Sequence, residues 1–146
     1  MKIASRLSIA LSAIAVALAF GTATPSAPAK YGSYQNALSQ LRTARAYIEH
    51  PDNGEIHDQE KSAIAEMDLA INELESVVKD GKSLADHPGL DSHLGWIPRL
   101  NKAAELLNKA RDNVQKEDDN SGARDRALQH IAQAHKFVEQ AIALEQ

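Results

Sequence analysis

The sequence predicts an all-α protein, a four-helix bundle built from two similar helical hairpins that follow a cleavable leader. Three observations predict it. Helix formers dominate a chain of 146 residues in which only 4% are aromatic. Four stretches place apolar residues at three- and four-residue steps, the period of an amphipathic helix. The pattern also repeats. Ala37 to Ile48 (ALSQLRTARAYI) returns as Ala103 to Val114 (AAELLNKARDNV), with Leu41 on Leu107, Ala44 on Ala110, Arg45 on Arg111 and Ile48 on Val114. Ala63 to Val78 returns as Ala127 to Ile142, with Met67 on Ile131, Ala70 on Ala134 and Leu74 on Val138.

In chain order, the first segment reads as an address. Lys2 and Arg6 precede the apolar run Leu7 to Phe20, and a small-residue stretch with Pro25 and Pro28 follows. That is the three-part pattern of a secretory signal peptide. A membrane span needs about 20 apolar residues, so the run is short for a retained anchor. Cleavage after Ala23 or Ala29 is favoured over cleavage after Ala19. Residues 1–29 are therefore assigned to the leader and 30–146 to one helical domain, with a periplasmic or secreted destination and no stable membrane anchor after cleavage.

The first helix is expected from Ser33 or Tyr34 to about Glu49, with Tyr34, Leu38, Leu41, Ala44 and Ile48 inward. His50-Pro51-Asp52-Asn53-Gly54 breaks it, because proline cannot continue the ladder and Asn-Gly favours a turn. The second helix starts between Glu55 and Gln59 and carries Ile64, Met67, Ile71, Leu74 and Val78, with Gly81 as a C-terminal cap. The third holds Pro98 in its first turn, then Leu100, Ala104, Leu107, Ala110 and Val114. Asn120 or Ser121 is expected to cap the fourth, whose stripe is Leu128, Ile131, Val138 and Ile142 with alanines 127, 134 and 141 beside it. Such helices pack near about 20° in a bundle. A closed monomer covers every stripe and is favoured over an open pair of hairpins that dimerises.

Composition also bounds the chemistry. The absence of cysteine excludes disulfides, thiol nucleophiles, thiolate metal sites and covalent c-type haem. A net charge of −4 without a concentrated basic face argues against a nucleic-acid partner. No phosphate loop, glycine-flanked nucleophile or convergent acid–base–nucleophile set occurs, so the chain is read as non-catalytic. The run Glu117-Asp118-Asp119 reads as a solvated helix end, and Arg42, Arg45, Arg99 and Arg111 as partners for exposed acids.

Histidines are the candidate ligands. The repeat places His135 where the first hairpin has Ile71, so its imidazole falls in an inward register, where a bundle can hold haem or a transition metal. Met67 is a formal second haem ligand from the same kind of position. The plainer reading is an imidazole hydrogen-bonded at the edge of the stripe, with Met67 as core filler. His130 cannot chelate with His135, since residues five apart on a helix point about 140° apart. No Glu-x-x-His occurs on any helix. His87 and His93 lie with Asp86 and Asp91 in the long connection Lys82 to Ile97, where imidazole and carboxylate together suit zinc, nickel or copper. The plainer reading there is a polar loop bent by Pro88-Gly89.

The pieces Ala37-Leu38-x-x-Leu41-Arg42-x-Ala44-Arg45, Asp80-Gly81-Lys82, Glu117-Asp118-Asp119-Asn120 and Arg126-Ala127-x-x-His130-Ile131 resemble those of small exported bacterial all-helical proteins of unassigned activity. That resemblance implies a stand-alone exported helical domain and carries no catalytic residues. Within it, His130 is expected to bond across to the Asp80-Gly81-Lys82 end of the neighbouring hairpin. The sequence therefore points to an exported binding or interaction module with an unknown protein or small-molecule partner. Its contact surface is either the long connection or a groove between hairpins. A metal- or haem-binding bundle is the alternative.

Overall fold

A computed structural model describes residues 31–50, 56–78, 89–91 and 93–144. These form four helices and, among the described residues, no strand: α1 (Gly32–Ile48), α2 (Asp58–Val77), α3 (Trp96–Gln115) and α4 (Ala123–Leu144). The leader, the turn at 51–55 and the Gly81 cap expected from sequence lie outside the described residues.

The helix ends explain the boundaries. His57 donates its backbone N–H to Glu60 Oε2 (2.7 Å), which satisfies a donor at the start of α2. Trp96 opens α3 two residues before Pro98, so the proline occupies the third helical position, where its missing N–H leaves no gap. At α4 the expected cap at Asn120 or Ser121 is shared. Asp119 accepts the N–H groups of Ser121 (2.7 Å) and Arg124 (3.0 Å), and Ser121 Oγ accepts that of Ala123 (3.2 Å). Gly122, at φ 76, makes the left-handed entry, and a Cβ there would sit 3.0 Å from the Arg126 guanidinium.

Four pairs of helices share broad contact: α1 with α2, α3 with α4, α1 with α3, and α2 with α4. The last two pairs join one hairpin to the other and are the more extensive, α2–α4 most of all. Cross-links fix the directions. Arg42 meets Glu75 and Arg45 meets Asp68 between α1 and α2. Glu66 meets His130 and Glu73 meets Arg126 between α2 and α4. Every neighbouring pair is therefore antiparallel, and α2 and α3 run in the same direction. The end of α2 and the start of α3 therefore lie at opposite ends of the bundle.

The repeat survives in three dimensions. Tyr34 and Leu100, Leu41 and Leu107, Ala44 and Ala110, Ile48 and Val114, Met67 and Ile131, and Leu74 and Val138 are equivalent pairs, and all are buried. His130 is the counterpart of Glu66, so the bond between them joins equivalent positions of the two hairpins.

The alanines are the correction to the sequence reading. Ala127, Ala134 and Ala141 are innermost, whereas Leu128 and Ile142 are only half-buried; on α3, Ala103 is buried and Ala104 is half-buried. Ile64 and Val78 are likewise half-buried. Heptad spacing explains it. Ala63 and Ala70 sit one turn either side of Glu66, which bonds to α4, and Ala127 and Ala134 flank His130 in the same way. Ala37 and Ala44 flank Gln40, which accepts from Asn113 of α3 (2.9 Å). Each helix thus turns its alanines toward the other hairpin, and small side chains let those backbones approach. Bulkier residues such as Leu38 and Ile71 fill the flank facing the partner within the hairpin.

Candidate functional site

At the end of the bundle where α1 stops and α3 starts, the chain forms an open groove of ≈ 540 Å³. Tyr47 from the last turn of α1 makes one wall, and Asp91 and Leu94 from the connection make another. Pro98, Asn101, Lys102 and Glu105 of α3 complete the lining. First hairpin, long connection and second hairpin all contribute, so the two surfaces offered by the sequence coincide here.

Tyr47 is 5% exposed. Its hydroxyl oxygen accepts the Asp91 backbone N–H (3.3 Å), and its own O–H proton has no acceptor among the described residues. Asp91 is exposed; one of its carboxylate oxygens takes the His93 N–H (3.1 Å), which bends the segment. The Arg99 side chain is buried beneath and donates from Nε to the Leu94 carbonyl (2.7 Å), which holds the connection against α3. Lys102 Nζ bonds Glu105 at 2.8 Å, and Lys109 bonds the same carboxylate at 2.5 Å. Hydrogen bonds from Lys102 and then Lys109 hold Glu105 down to about 2, and the Glu105 bond in turn raises Lys102. Both are charged at neutral pH.

The opposite end of α1 is closed. Tyr34 is fully buried, stacks on Tyr31 (centroids 5.7 Å apart) and donates its hydroxyl to Asp119. Glu117 accepts the Ser33 N–H (2.8 Å). The acidic run is thus not merely solvated: two of its members tie the start of α1 to the link between α3 and α4. Burial, then the Asp119 bond, raise the Tyr34 hydroxyl well above its usual range. Burial opposes ionisation of Asp119, but the bonds from Ser121, Tyr34 and the backbone N–H groups of Ser121 and Arg124 outweigh it and bring the group to about 2.

The histidines lie apart from one another. His135 is on the α3-facing flank of α4, with Nε2 3.0 Å from the Asn108 amide nitrogen and Nδ1 3.5 Å from Glu139. Its side chain is 24% exposed, so it occupies the edge of the stripe with both ring nitrogens beside protein partners. His93 is exposed near the groove, and His87 lies outside the described residues. Met67 is fully buried. Among the described residues no group of three or more His, Cys, Asp or Glu is arranged to hold a metal. His130 bonds Glu66 at 2.7 Å, in the middle of α2, and the Asp80-Gly81-Lys82 end expected for it lies outside the described residues. The arginines pair separately, Arg42 and Arg45 with acids of α2 and Arg111 with Asp112, so they form no basic stripe.

Sequence reasoning missed Tyr47, because it lies off the inward stripe and is buried by a connection whose path the helical period does not encode. The off-stripe aromatic one residue before Ile48 was the available signal. No described helix is long and apolar enough to cross a membrane. Comparisons with protein-family models, curated proteins and solved structures gave no match to this chain.

Proposed function

We propose that the chain is an exported, non-catalytic helical-bundle module that acts as a monomer in the periplasm or outside the cell and binds its partner at the Tyr47 groove. The observation that carries this reading is Tyr47, a buried residue that lines the groove and whose hydroxyl has no acceptor among the described residues. Ligand sites commonly join apolar walls with a few convergent polar groups in about 300–1,000 Å³. Leu94 and Pro98 supply the first, and Tyr47, Asn101, Lys102 and Asp91 the second. The basic start and apolar run of the leader support export, and no acid–base–nucleophile set supports catalysis. In the metal or haem alternative, His135 would bind through Nε2 only by giving up its contact with Asn108.

Two measurements test this. Mass spectrometry of secreted material is expected to find an amino terminus between Phe20 and Lys30; an intact Met1 on exported protein would reject cleavage. Nuclear magnetic resonance of the labelled mature protein, titrated with the low-mass fraction of its compartment, is expected to move signals clustered around Tyr47, Leu94 and Lys102. Changes scattered over the surface, or none, would reject the groove.

A further inference from the structure

The lining of the groove narrows what it can hold. Three charged groups face it: Asp91, Lys102 and Glu105. Glu105 is engaged by two lysines, so it offers little to a ligand. Lys102 spends one of its three donors on Glu105 and keeps two. Asp91 accepts the His93 N–H through Oδ1, and no described residue bonds its Oδ2. The Tyr47 O–H adds a further donor, and Asn101, exposed in the groove, adds an amide.

A simple anion would meet Lys102 and the Tyr47 proton but also two carboxylates. A simple cation would meet Asp91 but also the lysine. A molecule with both signs satisfies the set, with a carboxylate at the Tyr47 and Lys102 donors and an ammonium at Asp91. An apolar portion can then cover Leu94 and Pro98. Building on the reading of this groove as the binding site, we infer that it takes a small zwitterion bearing a free α-ammonium and a free α-carboxylate, either a free amino acid or a short peptide with both termini free.

The probes are leucine, the dipeptide Leu-Leu, and Leu-Leu acetylated at its amino end or amidated at its carboxyl end, titrated calorimetrically into the full mature chain. At least one of the two free forms is expected to bind with a Kd below about 1 mM. Leucine alone would mark a free amino acid as the ligand, and Leu-Leu alone a peptide. Each capped form is expected to bind about tenfold or more weakly than free Leu-Leu if the peptide is the ligand. Tyr47→Phe keeps the ring and removes the proton, and is expected to weaken binding about five- to tenfold with an unchanged helical spectrum. Lys102→Met is expected to erase the preference for a free carboxyl group, and Asp91→Asn the preference for a free amino group. Asp91 is exposed and Lys102 half-buried, both outside the core, so a folding defect in Tyr47→Phe would not remove the test. No saturable binding by either free form, or equal binding of capped and free forms, overturns the inference. If the natural low-mass fraction still moves groove signals in that event, the zwitterion class fails alone. If it does not, the groove fails as a binding site as well.

Discussion

Tyr34 and Tyr47 stand on the same helix, one near each end, and both are buried. Their hydroxyl protons meet different fates. Tyr34 gives its proton to Asp119, a carboxylate already capping α4, and a second aromatic ring stacks upon it. Tyr47 receives a hydrogen bond from Asp91 and has no described acceptor for its own proton. At the Tyr34 end, the Tyr34 hydroxyl and the Ser33 N–H are spent on carboxylates of the α3–α4 link. At the Tyr47 end the polar groups converge on open space. The same residue type in similar burial is structural where its polar bonds are complete and available for binding where they are not.

The largest expected effect tests the frame that holds both ends. Leu41→Ala and Leu107→Ala remove equivalent, fully buried side chains, so each is expected to cost about 2–5 kcal/mol in urea unfolding. A large loss at one and almost none at the other would break the equivalence of the hairpins. The alanine seam is expected to be the next most sensitive. Ala70→Leu or Ala134→Leu forces bulk between α2 and α4 and is expected to cost about 1–3 kcal/mol by overpacking. A neutral result at both would mean that the seam has room to spare.

Acid sharpens the comparison between the ends. Asp119 ionises at about 2 in the folded chain against an ordinary value of 3.8. Its folded-state pKa is lowered, so its contribution is complete above the ordinary value and is lost as pH falls toward and below the folded one. Thermal melts are expected to show wild type losing stability over that acid interval more steeply than Asp119→Asn. Parallel profiles would remove Asp119 from the account.

His135→Leu has a smaller expected effect. Its Asn108 partner would be left half-buried without the ring nitrogen, so the change is expected to cost about 1 kcal/mol rather than to stabilise. A metal or haem titration of both proteins adds the second arm. Tight binding by wild type that vanishes in the variant would favour the cofactor reading.

The helices and most of the core were readable because burial follows the helical period: Tyr34, Leu41, Ile48, Leu107 and Val138 all fall where the spacing puts them. The choice between large and small residues for the innermost line was not readable. Ala127 and Leu128 are neighbours, and only the approach of α2 decides which is deeper. The site was less legible still. Asp119 looked like part of a solvated acidic run because its contact with Tyr34 joins residues far apart in sequence. Tyr47 lacked a visible role because the segment covering it has no periodicity. Contacts within one helix leave a pattern in sequence, whereas contacts made by irregular chain do not.

The central claim is that one end of α1 is a structural tie and the other an open site. Urea unfolding of Tyr34→Phe beside Tyr47→Phe, both at neutral pH, tests it most directly. Removing the Tyr34 hydroxyl deletes a bond to a charged carboxylate and is expected to cost about 1–3 kcal/mol. Removing the Tyr47 hydroxyl deletes one long bond from Asp91 and no other among the described residues, so the change is expected to stay within about 0.5 kcal/mol. Equal losses, or a larger loss at Tyr47, would contradict the account.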